Sequence, residues 1–367
     1  MEFLNRALRS LPAYDRLRQA VENGHVPVSA TGLSGVHKAN LICTLPADLH
    51  RRALVVAPDE GAAVKMTELL AQMGADPLLF PARDLCLRPV EGVSREFERN
   101  RIGVLSCLMQ EQGSIVVATP DALLLHTMPP AVLKQLVLRI DLSENLTPEQ
   151  LVQTLVAGGY AHTDSVEGEG QFARRGGIVD VFVPGMQQPA RVEFWGDEID
   201  SISLFDPVTQ RRTDKADSLT VTPAREVLYT DPAAFCHRLQ QLADRLKPAE
   251  QAAKQHLYED LDQIKNGVLL SDLDRYISLC YDQPATLLDY LGDAMVFVDE
   301  QNHIDERLRG IEQRHAGELT ALLEEGRLCK ALVDSFCMGR TSFYSWLQQT
   351  DTVLLETFAV RSGAVSP

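Results

Sequence analysis

The chain is poor in the groups from which most active centres are built. Its seven cysteines are scattered, odd in number and form no CxxC pair, which argues against a metal site or a disulfide framework and fits a reducing cytosol. The nine histidines include no HExxH and no HxH, so no metal is expected, and there is no GxSxG nucleophile elbow. No apolar run approaches the length of a membrane span, and residues 1–21 are too charged for a signal peptide; the expectation is a cytoplasmic protein without a membrane partner. Basic residues are also short: 35 Lys and Arg stand against 51 Asp and Glu, a formal net charge of −16. That balance opposes non-specific binding to nucleic acid, because a phosphate backbone must be met by clustered cations.

With 367 residues, 45% of them hydrophobic and 23% charged, the chain has material for two or three packed domains. Residues 1–25 read as one amphipathic helix carrying Tyr14, Leu17 and Val21, with Pro12 at its start or at a kink. Short apolar runs at Ala53–Ala57, Leu78–Phe80 and Ser114–Ala118 then alternate with helical patterns. One helix carries Met66, Leu69, Leu70 and Met73 up to a stop at Gly74, and another covers Ser94–Met109. This is the alternation of a parallel-sheet α/β domain, expected over 26–140.

The stretch TGLSGVHKAN, residues 31–40, has the frame of a phosphate-binding loop, GxxxxGK[ST]. Gly32 and Lys38 fit it, and Gly35 lies between them. His37 stands where glycine is needed, so a Cβ and an imidazole obstruct the approach to phosphate oxygens. Ala39 stands where a hydroxyl would hold Mg²⁺. The loop reads as degenerate: fold kept, hydrolysis lost, with binding of a nucleotide without cleavage left open as an alternative. Val296–Glu300 looks like an apolar strand tipped with an acidic pair, and with the loop broken Asp299 and Glu300 take a structural reading.

Residues 141–225 read as a small α+β module. Thr147-Pro148-Glu149-Gln150 is a helix start with its own cap, and Gly158-Gly159 ends that helix. Ile178–Val183, Arg191–Trp195 and Ile199–Phe205 are β-patterned and joined by turns too short for anything but antiparallel pairing; Leu219–Val221 is a last strand. Alternation puts Val192 and Phe194 on the core face, and displays Trp195 at the surface beside Arg191. A tryptophan and an arginine together have the composition of a protein–protein hot spot, although Arg191 paired with Glu193 is the plainer alternative. Arg174, Arg175, Arg191, Arg211 and Arg212 make the module rich in arginine, and Asp180, mid-strand, is expected to pair with an arginine of the same sheet. From residue 226 onward the pattern is mainly helical, with stripes at Leu239/Leu242/Leu246 and Leu257/Leu261/Ile264, a charged helix over 304–325 and a final strand over 352–360.

FARRGGIVDVFVPG followed by RVEFWGDEIDSISLFDPVTQRR resembles the module shared by the excision-repair helicase UvrB and the transcription-repair coupling factors, and DRYISLCYDQPATLLDYLGDAMVFVD is again similar to the latter. The resemblance covers nearly the whole chain and points to the amino-terminal UvrB-homology region of the coupling factors. It implies a degenerate P-loop NTPase-like (UvrB-like) parallel-sheet domain with an inserted small antiparallel α+β module and a helix-rich α/β second half, 226–367, packing with 1–25. It further implies docking of the module on the damage-recognition ATPase UvrA through Arg175, Arg191 and Trp195. The family usually has phenylalanine or a similar aromatic at the position of Trp195. No aromatic-rich DNA-loading hairpin stands between Arg83 and Glu98, which favours a coupling-factor adaptor over the alternative, a UvrB-type ATP-dependent helicase. The chain looks like a fragment whose intact form would add RNA polymerase and double-stranded DNA as partners, use ATP and Mg²⁺ in a translocase part, and mask the UvrA surface; no cofactor is expected in the fragment itself.

Overall fold

The computed structural model describes residues 2–89, 94–143 and 145–358. At its centre is a six-stranded, wholly parallel sheet, in the order β1 (Val28–Thr31), β14 (Thr352–Glu356), β13 (Met295–Asp299), β2 (Ala53–Val56), β4 (Ile115–Ala118), β3 (Pro77–Phe80). The inner strands β2, β4 and β13 are buried at every position and apolar along their length but for the polar tip Asp299, as required of strands covered on both faces. Side chains divide with a period of two. Leu54, Val56, Val116, Val296 and Val298 enter one core, while Ala53, Val55, Ile115, Val117, Met295 and Phe297 enter the other. The helices Gly35–Asp48 and Glu60–Gln72 cover the second face; Glu96–Met109, Pro232–Arg245, Gln251–Lys265 and Gln301–Glu324 line the first.

Strands expected within residues 26–140 and within 226–367 share this sheet: β13 and β14 lie between β1 and β2. The apolar run Met295–Val298 finds its neighbours on β2 and β14, so the two segments interleave. The single helix expected over 1–25 is two, Glu2–Arg9 and Pro12–Glu22, because Pro12 has no N–H to continue the first and sits at the start of the second. Tyr14 and Val21 pack in the same core as Ile42, Leu45 and Phe297. The final strand ends at Glu356; residues 359 and 360 of the expected run lie outside the described residues, as do 90–93 of the link between Arg83 and Glu98.

Between β4 and β13 the chain leaves the sheet and builds a separate module. β5 (Leu138–Asp141) pairs antiparallel with β12 (Ser218–Val221) and so brings the module's entry and exit side by side. The helix Pro148–Ala157 starts with the expected capping box: Gln150 N donates to Thr147 Oγ1 at 3.2 Å, and Thr147 N donates to Gln150 Oε1 at 2.9 Å. It packs on a six-stranded sheet ordered β11 (Arg212–Ala216), β10 (Glu198–Phe205), β9 (Ala190–Trp195), β8 (Ile178–Val181), β7 (Gln171–Arg175), β6 (Ala161–His162). All neighbours are antiparallel except β6 and β7. The three expected runs are β8, β9 and β10. β7 and β11 carry no apolar alternation: β11 is a charged edge whose place is set by backbone pairing to β10.

Module and body are joined through buried charge. Glu226, fully buried, follows directly on the module's exit and accepts from Arg101 Nε at 2.5 Å and Arg83 Nε at 3.1 Å. Its backbone N–H donates to Glu98 Oε1 at 2.8 Å. Arg83 also holds Asp274 through Nη1 and Nη2 at 2.6 and 3.1 Å, and Arg101 stacks 4.0 Å from the Phe80 ring. Burial works to strip the proton from both arginines. Around Arg83 the carboxylates Asp274 and Glu226 overcome it and raise the pKa, whereas at Arg101 burial prevails over Glu226 and the pKa falls.

Removing one partner from such a cluster leaves charges that water cannot reach. Glu226→Gln is therefore expected to cost about 3–5 kcal/mol of folding free energy, read as a lower urea midpoint at an unchanged slope. A midpoint equal to that of the wild type would show that the cluster contributes nothing.

Candidate partner-docking face and the loop at residues 32–39

The module's sheet has one face on the core of Val179, Val181, Val192 and Ile202, and an opposite face that is covered over Phe182 and Phe205 but exposed at Arg175 and Trp195. Cross-strand pairing sets which residues share this second face. Arg175 lies opposite Ile178, Ile178 opposite Glu193, and Asp180 opposite Arg191. Arg191 and Trp195 stand two residues either side of Glu193, so all three expected docking residues occupy one face, with Arg175 two strands, about 10 Å, from Glu193.

Their exposure differs. Trp195 is 83% exposed, beside the Gly196-Asp197 turn. Arg175 is exposed and donates from Nη2 to the carbonyl oxygen of Asp164 at 2.8 Å. Arg191 departs from the expectation of a displayed side chain. Only 14% of it is accessible, since it grips the buried Asp180 with both Nε (2.7 Å) and Nη2 (2.8 Å) and lies 4.7 Å over the Phe205 ring. The carboxylate it holds is Asp180 rather than Glu193; Glu193 accepts from Ser201 at 2.7 Å and pairs with Arg212. Arg174 pairs with Glu149, so three of the five module arginines are already neutralised. The ring under Arg191 was not foreseen. Residues 166, 173, 182 and 205 form a second small core on this face, and only the alternation along Ile199–Phe205 hinted at it.

The nearby Gly177 is tightly placed: a Cβ there would meet the carbonyl oxygen of Phe194 at 3.0 Å, so a larger residue would have to push that strand aside. That close approach lets Phe194 N donate to Gly177 O at 2.8 Å and ties the β7–β8 turn to the strand carrying Trp195.

Residues 32–39 belong to the body and lead from β1 into the helix Gly35–Asp48. Gly32, with φ +78°, turns the chain out of β1, and the helix already begins at Gly35, so only Gly32, Leu33 and Ser34 are left between strand and helix. His37 and Lys38 are in the first helical turn, where the Lys38 N–H donates to Ser34 O at 2.9 Å and the His37 ring meets Ser34 Oγ at 3.1 Å. Ala39 is completely buried. The Lys38 ammonium, only 4% exposed, does not point to solvent. It donates to Asp299 Oδ1 and to Glu300 Oε1, each at 2.6 Å. Glu300, at φ +57°, also accepts from Thr357 N at 2.9 Å and from the Thr357 hydroxyl. The structural reading of Asp299 and Glu300 thus has a partner in Lys38; the contribution of Thr357 carried no signal in the sequence.

Burial alone would lower the Lys38 pKa, but the hydrogen bonds to Asp299 and Glu300 raise it. At Asp299 burial prevails and the carboxyl is pushed up. Glu300 feels burial too, yet Lys38 and Thr357 outweigh it and push its pKa down to about 2 from 4.5. A depressed carboxyl stabilises the fold fully above its ordinary pKa and loses that contribution as pH falls through the folded value. The stability deficit of Glu300→Gln relative to the wild type is therefore expected to be present at neutral pH and to vanish between pH 4.5 and about 2, as read from paired urea titrations. A deficit independent of pH would contradict the ion-pair assignment. Among the described residues no group of three or more His, Cys, Asp or Glu could hold a metal ion, and no helix is long and apolar enough to cross a membrane.

Comparison with known proteins adds to this geometry. Residues 138–227, the module bounded by β5 and the Glu226 anchor, match the UvrB interaction domain family. The chain is 29% identical over 318 residues to the transcription-repair-coupling factor of Bacillus subtilis, covering 83% of this chain and 27% of that protein. It is 29% identical over 283 residues to the corresponding factor of Haemophilus influenzae, covering 75% and 24%, and 26% identical over 318 residues to that of Staphylococcus haemolyticus, covering 83% and 27%. The chain spans about a quarter of the length of these relatives. A matched module inserted in an α/β body, with relatives of one kind over most of the chain, makes this chain similar to the amino-terminal UvrB-homology region of the transcription-repair-coupling factors.

Proposed function

We propose that this chain is a non-catalytic adaptor that brings UvrA to lesions where RNA polymerase has stalled, in cytoplasmic transcription-coupled nucleotide excision repair. One observation carries the reading: a tryptophan 83% exposed on one sheet face of a module that matches the UvrB interaction domain. Isolated surface apolar residues are ordinary, but a large aromatic at the end of a rigid strand, with Arg175 on the same face, is the composition of an interface anchor. Arg175 and Trp195 supply the contact, and Arg191 joins them from its pocket. RNA polymerase, double-stranded DNA, ATP and Mg²⁺ are assigned to the longer protein of which the relatives are examples.

The loop at 32–39 supports the absence of ATP turnover in this chain. Its lysine is engaged by Asp299 and Glu300, the backbone between strand and helix is three residues long, and Ala39 offers no oxygen to a metal. We therefore read the body as a degenerate P-loop NTPase-like domain that needs no cofactor.

Two measurements test these statements. Trp195→Ala and Arg175→Ala should each weaken UvrA binding by about 1–3 kcal/mol with the melting temperature preserved, as measured by titration calorimetry; binding at full strength by a variant lacking both would overturn the docking assignment. The isolated chain should show no ATP turnover with or without DNA, and DNA-stimulated hydrolysis would reverse the reading in favour of a UvrB-type helicase.

A further inference from the structure

On the module face that bears Trp195, Asp180 is a buried carboxylate that a simple docking surface does not explain. Asp180 is 1% exposed in the middle of β8, where an isolated carboxylate would be costly. Its two oxygens are both taken by Arg191, at 2.7 and 2.8 Å, in the two-pronged arrangement that a planar guanidinium and a carboxylate favour. The fully buried Phe205 ring on β10 closes the guanidinium from below at 4.7 Å. The Nε–H and one of the two N–H groups on Nη2 are used, while Nη1 makes no hydrogen bond among the described residues. Arg191 is thus held by two hydrogen bonds, with both N–H groups of Nη1 and one of Nη2 left over on the face that also bears Arg175 and Trp195.

We propose that Asp180 is a positioning residue for partner docking: together with Phe205 it holds Arg191 so that its remaining Nη1 and Nη2 N–H groups are offered in a fixed direction to a carbonyl or carboxylate oxygen of the partner protein. The inference rests on the UvrA reading above and adds to it. An arginine free in solvent must surrender rotamer freedom on binding, and one already clamped has lost it during folding. The clamp also separates charge from geometry. Because Asp180 cancels the cation, Arg191 contributes a directed hydrogen bond rather than long-range attraction, and the exposed Arg175 is left to supply steering.

The test is a double-mutant cycle on UvrA binding by the full 367-residue chain, using Asp180→Asn and Arg191→Lys singly and together, with melting temperatures measured alongside. Arg191→Lys keeps the positive charge and can still pair with Asp180, but has no second guanidinium nitrogen to offer. Both single variants should lose about tenfold in affinity, and Asp180→Asn should cost less than about twofold more when lysine already stands at 191. Phe205→Leu, which leaves the ion pair intact and removes only the ring, should lose a smaller factor and give a second readout if Asp180→Asn folds poorly. Equal losses from Asp180→Asn in both backgrounds, or no loss from it and none from Phe205→Leu, would overturn the positioning role while leaving the docking reading standing. Failure of the wild-type chain to bind UvrA would overturn both.

Discussion

The structure depends on the carboxylate of Glu226 and the two arginines that converge on it. Arg83 comes from the end of β3 and Arg101 from the helix beside it, while Glu226 is the first residue the inserted module returns to the body. None of the three can be hydrated, so each is tolerable only while the others are in place. This makes the junction conditional on both parts being folded. The neighbouring contacts act in the same sense: Arg225 donates to the Leu270 carbonyl oxygen at 2.8 Å, and the Tyr281 hydroxyl bridges Glu226 O and Leu228 N at 2.9 and 3.0 Å. With β5 and β12 pairing side by side at the entry and exit, the module is a projection of the body rather than a domain on a tether.

Against this frame the two candidate sites have opposite characters. On the module, polar groups are pre-ordered but left accessible, with an indole outermost. In the body, Lys38, Asp299 and Glu300 have found each other: an ammonium lies between two carboxylates, and the left-handed residue Glu300 is held from a second side by Thr357. Internal satisfaction of this kind stabilises a fold, whereas the exposed indole is the anchor of the docking proposed above.

Much of this was legible in the chain, where local chemistry decides the outcome. The capping box at Thr147 and Gln150, the strands at Ala53–Val56 and Ile115–Ala118 and the antiparallel order of β8, β9 and β10 all follow from short-range pattern. What was not legible is decided by pairing across long distances. β11 is a strand only because β10 offers an edge, since its own residues are polar and exposed. Arg191 was expected at the surface because alternation tells which side a residue faces, but not whether that side holds a second small core; Val166 and Phe182, from other segments, supply it. Lys38 and Asp299 stand 261 positions apart, and only the order β1-β14-β13 brings the ends of their elements together.

The placing of β13 and β14 between β1 and β2 bears on how the protein is made. Until β13 has been synthesised, β2 has an apolar ribbon with one side unclaimed, because its partner on that side emerges only after the whole module. The inserted module suffers no such delay, as all its strands pair with one another and it can close as soon as β12 leaves the exit tunnel. Nascent chains halted within residues 226–294 would therefore carry a finished module on an unfinished body, and those intermediates are where chaperones and proteases would find their targets.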